Sequence, residues 1–270
     1  MPDNRIDRTF ADLAAADRKA LMPYVTAGFP HLDVTAELLR RMPSAGASVI
    51  ELGIPYSDPI ADGPVIQESF TRALEAGVRL ADIFEMVRRV RSEVAAPILS
   101  MVSFSIVYRI GVDRYIERAA AAGLDGLIIP DLSLEEAPSV AERTAAAGLR
   151  LAMLVAPTSS PERFERIARI SQGFIYYISV AGTTGERDRL PPDLPTNVRR
   201  LRDVGGKPVC VGFGISRPEH VRQVCQVADG AIVGSAVVRR ITAAADAGEG
   251  PEAIVRRTTD LVRELATGLP

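Results

Sequence analysis

Leu21-Met22-Pro23-Tyr24-Val25-Thr26-Ala27-Gly28-Phe29-Pro30 is the stretch on which the fold turns. Its first seven residues are a nearly continuous apolar run. Such a run suits a parallel strand covered on both faces better than a half-exposed antiparallel one. The turn that follows lacks the Gly-x-Gly-x-x-Gly pattern that a doubly wound dinucleotide fold places after its first strand. A strand of this kind followed by this turn favours a closed barrel over an open sheet.

Working outward, the same unit recurs. Apolar strand-like runs are predicted at 21–27, 48–53, 97–103, 125–130, 149–155, 174–179, 207–212 and 230–234. Helical periodicity fills the gaps at 33–45, 65–75, 80–93, 112–122, 134–147, 161–171, 193–204, 217–227 and 252–266. Asp33, Asp82 and Ser160-Pro161 supply first-turn or capping chemistry. The two Ala-Ala-Gly triplets at 121–123 and 146–148 stop helices with a glycine. Strand–helix alternation repeated eight times predicts a (β/α)8 TIM barrel. Residues 1–270 are read as one domain, and an extra N-terminal helix at 4–17 is placed to close the barrel's bottom.

Composition agrees. A chain of 270 residues with 47% hydrophobic content matches the roughly 250 residues such barrels use. The formal net charge of −2 and the lack of a basic stripe argue against nucleic-acid binding. No run is long and apolar enough to span a bilayer, and residues 1–20 lack the apolar core of a signal peptide. Cys210 and Cys225 sit in separate apolar segments and read as buried thiols in a reducing, cytoplasmic setting. His31 and His220 are the only histidines, so no metal-ligand cluster is assembled from them.

In this architecture chemistry sits at the C-terminal ends of the strands. Glu51 interrupts the second strand near that end. A carboxyl buried there has its pKa raised and suits proton transfer near neutrality. A glutamate paired with a buried lysine or arginine is the competing reading, and both stay open. The next loop, Ile54 to Pro64, carries Asp58 and Asp62 on a path held by three prolines and a glycine. Asp58, before a proline, reads as a turn residue. The seventh and eighth strands run into Gly212-Phe213-Gly214 and Gly234-Ser235, where backbone N–H groups and a helix N-terminus commonly hold phosphate. Tight turns without a ligand are the alternative. The long polar loop at 181–192 reads as a lid, with Thr184 as its hydrogen-bonding candidate. The residues alone describe a phosphosugar-type barrel that works with carboxylates.

Taken together these segments resemble the tryptophan synthase alpha chain family. The ordered block Glu51-Leu52-Gly53-Ile54-Pro55-Tyr56-Ser57-Asp58-Pro59-Ile60-Ala61-Asp62-Gly63-Pro64 carries most of the resemblance. Leu154-Val155-Ala156-Pro157-Thr158-Ser159, Gly173-Phe174-Ile175-Tyr176-Tyr177, Thr184-Gly185, Gly212-Phe213-Gly214-Ile215-Ser216 and Gly234-Ser235 extend it across nearly the whole chain. The resemblance implies a lyase of tryptophan biosynthesis. It would split indole-3-glycerol phosphate into indole and glyceraldehyde 3-phosphate with Glu51 and Asp62 as catalytic acids. It further implies Tyr24, Tyr176 and Phe213 around the indole, and Gly185, Gly214, Gly234 and Ser235 at the phosphate. Ser100 stands where the family's indole pocket commonly has leucine. Phe29 stands where aspartate is frequent, and Met101 to Tyr108 replaces a Tyr-Tyr-Asn-Pro-like segment. No cofactor is implied in this chain. A beta subunit carrying pyridoxal phosphate is the implied partner, in an alpha2beta2 heterotetramer. Three other readings remain to be weighed: a stand-alone lyase releasing free indole, a non-catalytic subunit that only binds phosphate ligands, and another phosphosugar barrel such as an isomerase or epimerase.

Overall fold

The structure, a computed structural model, describes residues 4–59, 62–178, 190–212 and 214–270. Its strands are β1 (Ala20–Thr26), β2 (Ile50–Gly53), β3 (Ile98–Met101), β4 (Gly126–Ile128), β5 (Arg150–Ala152), β6 (Leu154–Val155), β7 (Ile175–Ile178), β8 (Val209–Gly212) and β9 (Gly230–Val233). Their order is β5-β4-β3-β2-β1-β9-β8-β7-β6, and every pairing is parallel. The two ends of that order, β5 and β6, are consecutive in the chain. They are halves of the single strand expected at 149–155, separated at Met153. The lower half pairs with β4 and the upper half with β7. The sheet therefore closes, and its eight positions are those of a (β/α)8 barrel.

Side chains alternate between the barrel interior and the helix layer. Ala20, Met22, Val49, Leu99, Ile128, Ala152, Phe174, Cys210 and Ile232 form the interior cluster, with Met101, Leu154 and Tyr176 packed on it. The remaining strand positions, Leu21, Val25, Ile50, Leu52, Ile98 and Leu127 among them, join the larger core between sheet and helices. That two-sided burial explains why the strands read as apolar runs.

The extra helix is present at Arg5–Ala15. Ile6, Phe10 and Leu13 enter the interior cluster, and the Phe10 ring lies 5.6 Å from that of Phe174. Asn4 fixes this plug. Its Oδ1 accepts from Ile6 N at 2.8 Å, and its Nδ2 donates to the carbonyls of Asp125 and Gly148 beside the starts of β4 and β5. Lys207 lies just before β8 and donates to Gly205 O at 2.8 Å, on the side of the barrel away from the strand ends.

Two helices escaped the sequence reading. Phe104–Ile110 begins where a polar cap, Ser103, follows a strand; Ser235–Asp246 follows β9 directly. The second buries Val237, Val238, Ile241 and Ala244, a spacing that signals a helix. Ser160 caps its helix as expected, accepting from Arg163 N, while Asp33 and Asp82 lie inside first turns. No helix among the described residues is long and apolar enough to cross a membrane.

Candidate active site

Glu51 lies on the inward face of β2, paired in register with Tyr24 on β1 and Leu99 on β3. It is fully buried. Neither carboxyl oxygen has a hydrogen-bond partner among the described residues. Burial alone pushes its pKa up to about 8, because the charged form loses its hydration and gains nothing in return. The competing reading, a glutamate paired with a buried lysine or arginine, finds no support in these contacts.

Two tyrosines flank it. The Tyr24 hydroxyl occupies the space beside Gly53, where an added Cβ would lie 1.9 Å from it. Tyr176 leans in the same way toward Gly212, where a Cβ would lie 3.3 Å from the Tyr176 hydroxyl. Burial holds both phenols well above their ordinary pKa, and the charges of Glu51 and Asp62 add to that rise in each. The two rings and Glu51 thus share one neighbourhood at the top of the barrel interior.

Asp62 is carried by the loop after β2 and is partly buried. Its amide donates to Pro59 O at 3.1 Å. Gln67, in the first turn of the helix Pro64–Glu75, donates from Nε2 to both Pro59 O and Asp62 O. Burial first, and the negative charge of Asp131 second, raise the Asp62 pKa to about 6. A cavity of roughly 420 Å³ opens here, with Tyr56, Asp62, Met101, Ser103 and Asp131 in its wall. Asp58 is exposed at its rim.

Ser100 requires a correction. Strand parity turns its neighbours Leu99 and Met101 inward, so Ser100 faces the helix layer. There its hydroxyl lies 2.7 Å from the hydroxyl of Tyr115, on the helix Val112–Ala122. Ser100 is no part of the mouth; Met101 takes that place. Three further residues were not anticipated. Gln67 fixes the Asp62 backbone, and Asp131 accepts from Phe104 N and Ser103 Oγ, both at 2.7 Å. Asp131 had a usable signal, an acid at the C-terminal end of a strand. Gln67 and Met101 had none.

Across the mouth, Gly214 adopts φ +59°, a left-handed conformation open to glycine. Gly234 caps the helix Ser235–Asp246. The first N–H groups of that helix have no intrahelical acceptor and suit an anion. Thr184, Gly185 and Phe213 lie outside the described residues. His220 is buried within its helix and contacts Arg217. No cluster of three potential metal ligands occurs among the described residues.

Fold and mouth define a (β/α)8-barrel enzyme with two pKa-raised carboxyls on one side and a glycine-capped helix N-terminus on the other. The family model described as tryptophan synthase alpha chain matches residues 10–269. The alpha chain of Rhodopirellula baltica is 47% identical over 240 residues, covering 88% of this chain and 86% of its own. That of Synechocystis sp. is 48% identical over 239 residues, covering 88% and 90%. Among solved structures, the alpha subunit from Legionella pneumophila superposes with a TM-score of 0.88 at 36% identity, covering 98% of each chain. Tryptophan synthase from Mycobacterium tuberculosis gives 0.88 at 35% identity over 98% of each chain. The chain belongs to the tryptophan synthase alpha chain family. It is a lyase of tryptophan biosynthesis that cleaves indole-3-glycerol phosphate, and the readings as a free-indole lyase, a mere phosphate binder or another phosphosugar barrel are not favoured.

Proposed function

We propose that Glu51 and Asp62 divide the retro-aldol cleavage between them. The observation that carries this is Glu51: a buried carboxyl without a partner, titrating near 8 and so protonated at neutral pH. Protonated Glu51 gives its proton to indole C3, which places positive charge on the ring. Asp62, titrating near 6, is ionised at neutral pH and stabilises that charge through the indole N–H. The Glu51 carboxylate then takes the proton of the glycerol hydroxyl as the C–C bond breaks. Indole and glyceraldehyde 3-phosphate leave, and Glu51 is protonated again.

Tyr24, Tyr176 and Phe213 border the indole in this reading. The backbone N–H groups of Gly214, Gly234 and Ser235, with Gly185, hold the phosphate, and Thr184 closes over it. The partner is a beta subunit that carries pyridoxal phosphate and consumes the indole, and both work in the cytoplasm. Support comes from the family and from the tryptophan synthase structures that the chain resembles. The test is indole release from indole-3-glycerol phosphate by the purified chain, alone and with a beta subunit. Release that rises steeply with the partner is expected. A rate unmoved by the partner would refute the partnership, and no release in either case would refute the catalytic reading.

A further inference from the structure

Tyr24 stands in register with Glu51 on the neighbouring strand, and both side chains face the barrel interior. Its hydroxyl ends a chain of three buried hydroxyls. Tyr24 Oη lies 3.5 Å from Thr26 Oγ1, and Thr26 Oγ1 lies 2.7 Å from Ser69 Oγ. Ser69 Oγ donates to Ile66 O at 2.7 Å. Ile66 and Ser69 belong to the helix Pro64–Glu75, which starts two residues after Asp62.

Each hydroxyl has one proton to give. Ser69 has two acceptors at 2.7 Å, Ile66 O and Thr26 Oγ1, and one proton for them. With Ser69 turned to Thr26, Thr26 donates to Tyr24 Oη. That leaves the phenol's own proton uncommitted. The Tyr24 proton has no acceptor nearer than 3.5 Å among the described residues, and its hydroxyl sits one inward-facing layer above Glu51, beside Gly53. Glu51 has two buried oxygens with no donor. The other titratable groups whose charge is felt there are Asp62, Tyr176 from β7 and Cys210 from β8; β3 contributes the apolar Leu99. None of these is an obligate donor held by a chain of its own.

We propose that Tyr24 is a positioning residue for the reaction: its phenol O–H turns to the Glu51 carboxylate when that group is ionised, and the Thr26–Ser69 chain holds the phenol in place. This rests on Glu51 being the proton-transfer group. The arrangement ties that group to the helix that follows Asp62, so the two acids are aligned through one set of hydroxyls. A donor aimed at the ionised form stabilises that form, so Tyr24 lowers the Glu51 pKa and steadies the carboxylate after it has given its proton away.

The experiment compares the wild-type chain with Tyr24→Phe, which keeps the ring and removes only the hydroxyl. Glu51 is titrated directly, without substrate, by the carbon-13 shift of its carboxyl, assigned with Glu51→Gln. Indole release is followed across the same pH range. The expected result is a Glu51 titration raised by about one pH unit in Tyr24→Phe, with the alkaline limb of kcat displaced equally and KM changed less than about threefold. Thr26→Val is expected to move both in the same direction by a smaller amount, and Thr26→Ser to restore them. A Glu51 titration unmoved by Tyr24→Phe overturns the proposal, even where kcat falls. A shifted titration in a chain whose wild type releases no indole upholds the Tyr24 contact and overturns the catalytic reading instead.

Discussion

Glu51→Gln should make this protein more stable and nearly inactive, and the size of the first effect follows from burial. The ordinary carboxyl value is 4.5 and the folded value is about 8. An acid whose folded pKa is raised leaves the fold fully stable at pH below the unfolded value. Stability is then lost as pH rises from there through the folded value. Linkage sets the loss at about 1 kcal/mol at pH 5 and about 5 kcal/mol at pH 9. Glutamine has nearly the same shape and no titration. Its own unsatisfied amide carries a penalty that does not vary with pH. The informative quantity is therefore the change, between the two pH values, in the stability difference between variant and wild type. It should be about 4 kcal/mol in favour of the variant at high pH. Urea unfolding of both proteins at the two pH values measures it. Parallel stability curves would mean that Glu51 has a compensating partner, and the desolvation argument would fail. In the same variant kcat should fall by about 10²–10⁴, the contribution of a positioned acid–base group. An unaffected kcat would remove Glu51 from the mechanism.

The proposed mechanism uses Asp62 in its ionised form, so activity should fall as pH drops through about 6. Asp131→Asn removes a like charge and should move that acid limb to lower pH, read from the kcat profile. Gly53→Ala would place a Cβ 1.9 Å from the Tyr24 hydroxyl. It should displace the ring and destabilise the fold by about 1–3 kcal/mol, measurable by thermal unfolding, with kcat reduced in parallel. Ser235→Asp puts a negative charge at the helix N-terminus across the mouth. KM for indole-3-glycerol phosphate should rise about tenfold or more, and inhibition by inorganic phosphate should weaken with it.

The barrel was legible because parallel strands buried on both faces leave a blunt sequence signal, and the Ala-Ala-Gly stops marked where the helices end. The same bluntness hid which face each residue takes. Leu99, Ser100 and Met101 all lie in one apolar run, and a register one residue off exchanges inside for outside. The family resemblance, followed along that run, points to Ser100 as the pocket position, whereas Met101 lines the mouth. Glu51 escaped this ambiguity because a carboxylate in an apolar run is conspicuous whichever way it faces. The break at Met153, which divides one expected strand into β5 and β6, has no compositional mark. It shows only in pairing, since Gln172 N donates to Leu151 O and Tyr176 N to Met153 O. The glycine-serine start of the helix Ser235–Asp246 reads as a turn and hides it, although its apolar spacing is helical.

The two halves of the mouth obey opposite electrostatic rules, and their separation follows from the fold. On the side of β2 and β4, Asp62 and Asp131 gather negative potential, and no cation among the described residues is paired to Asp62 or to the protonated Glu51 beside it. Such a place repels a phosphate dianion. The side of β8 and β9 offers glycine turns and a helix N-terminus, with partial positive charge and no carboxylate at the turn. A substrate with an aromatic ring at one end and a phosphate at the other is therefore oriented before any specific contact forms. Reversal would bring the phosphate against the carboxylates of Asp62 and Asp131 and leave the ring among unsatisfied N–H groups. The raised carboxyl values strengthen this argument. Acids that remain partly protonated near neutrality depend on staying away from cations, so a lysine or arginine recruited to bind phosphate near Glu51 would lower its pKa and remove the proton it must deliver. In the proposed binding mode, backbone N–H groups on the far side of the barrel hold the anion, and no lysine or arginine among the described residues is brought to either acid for that purpose.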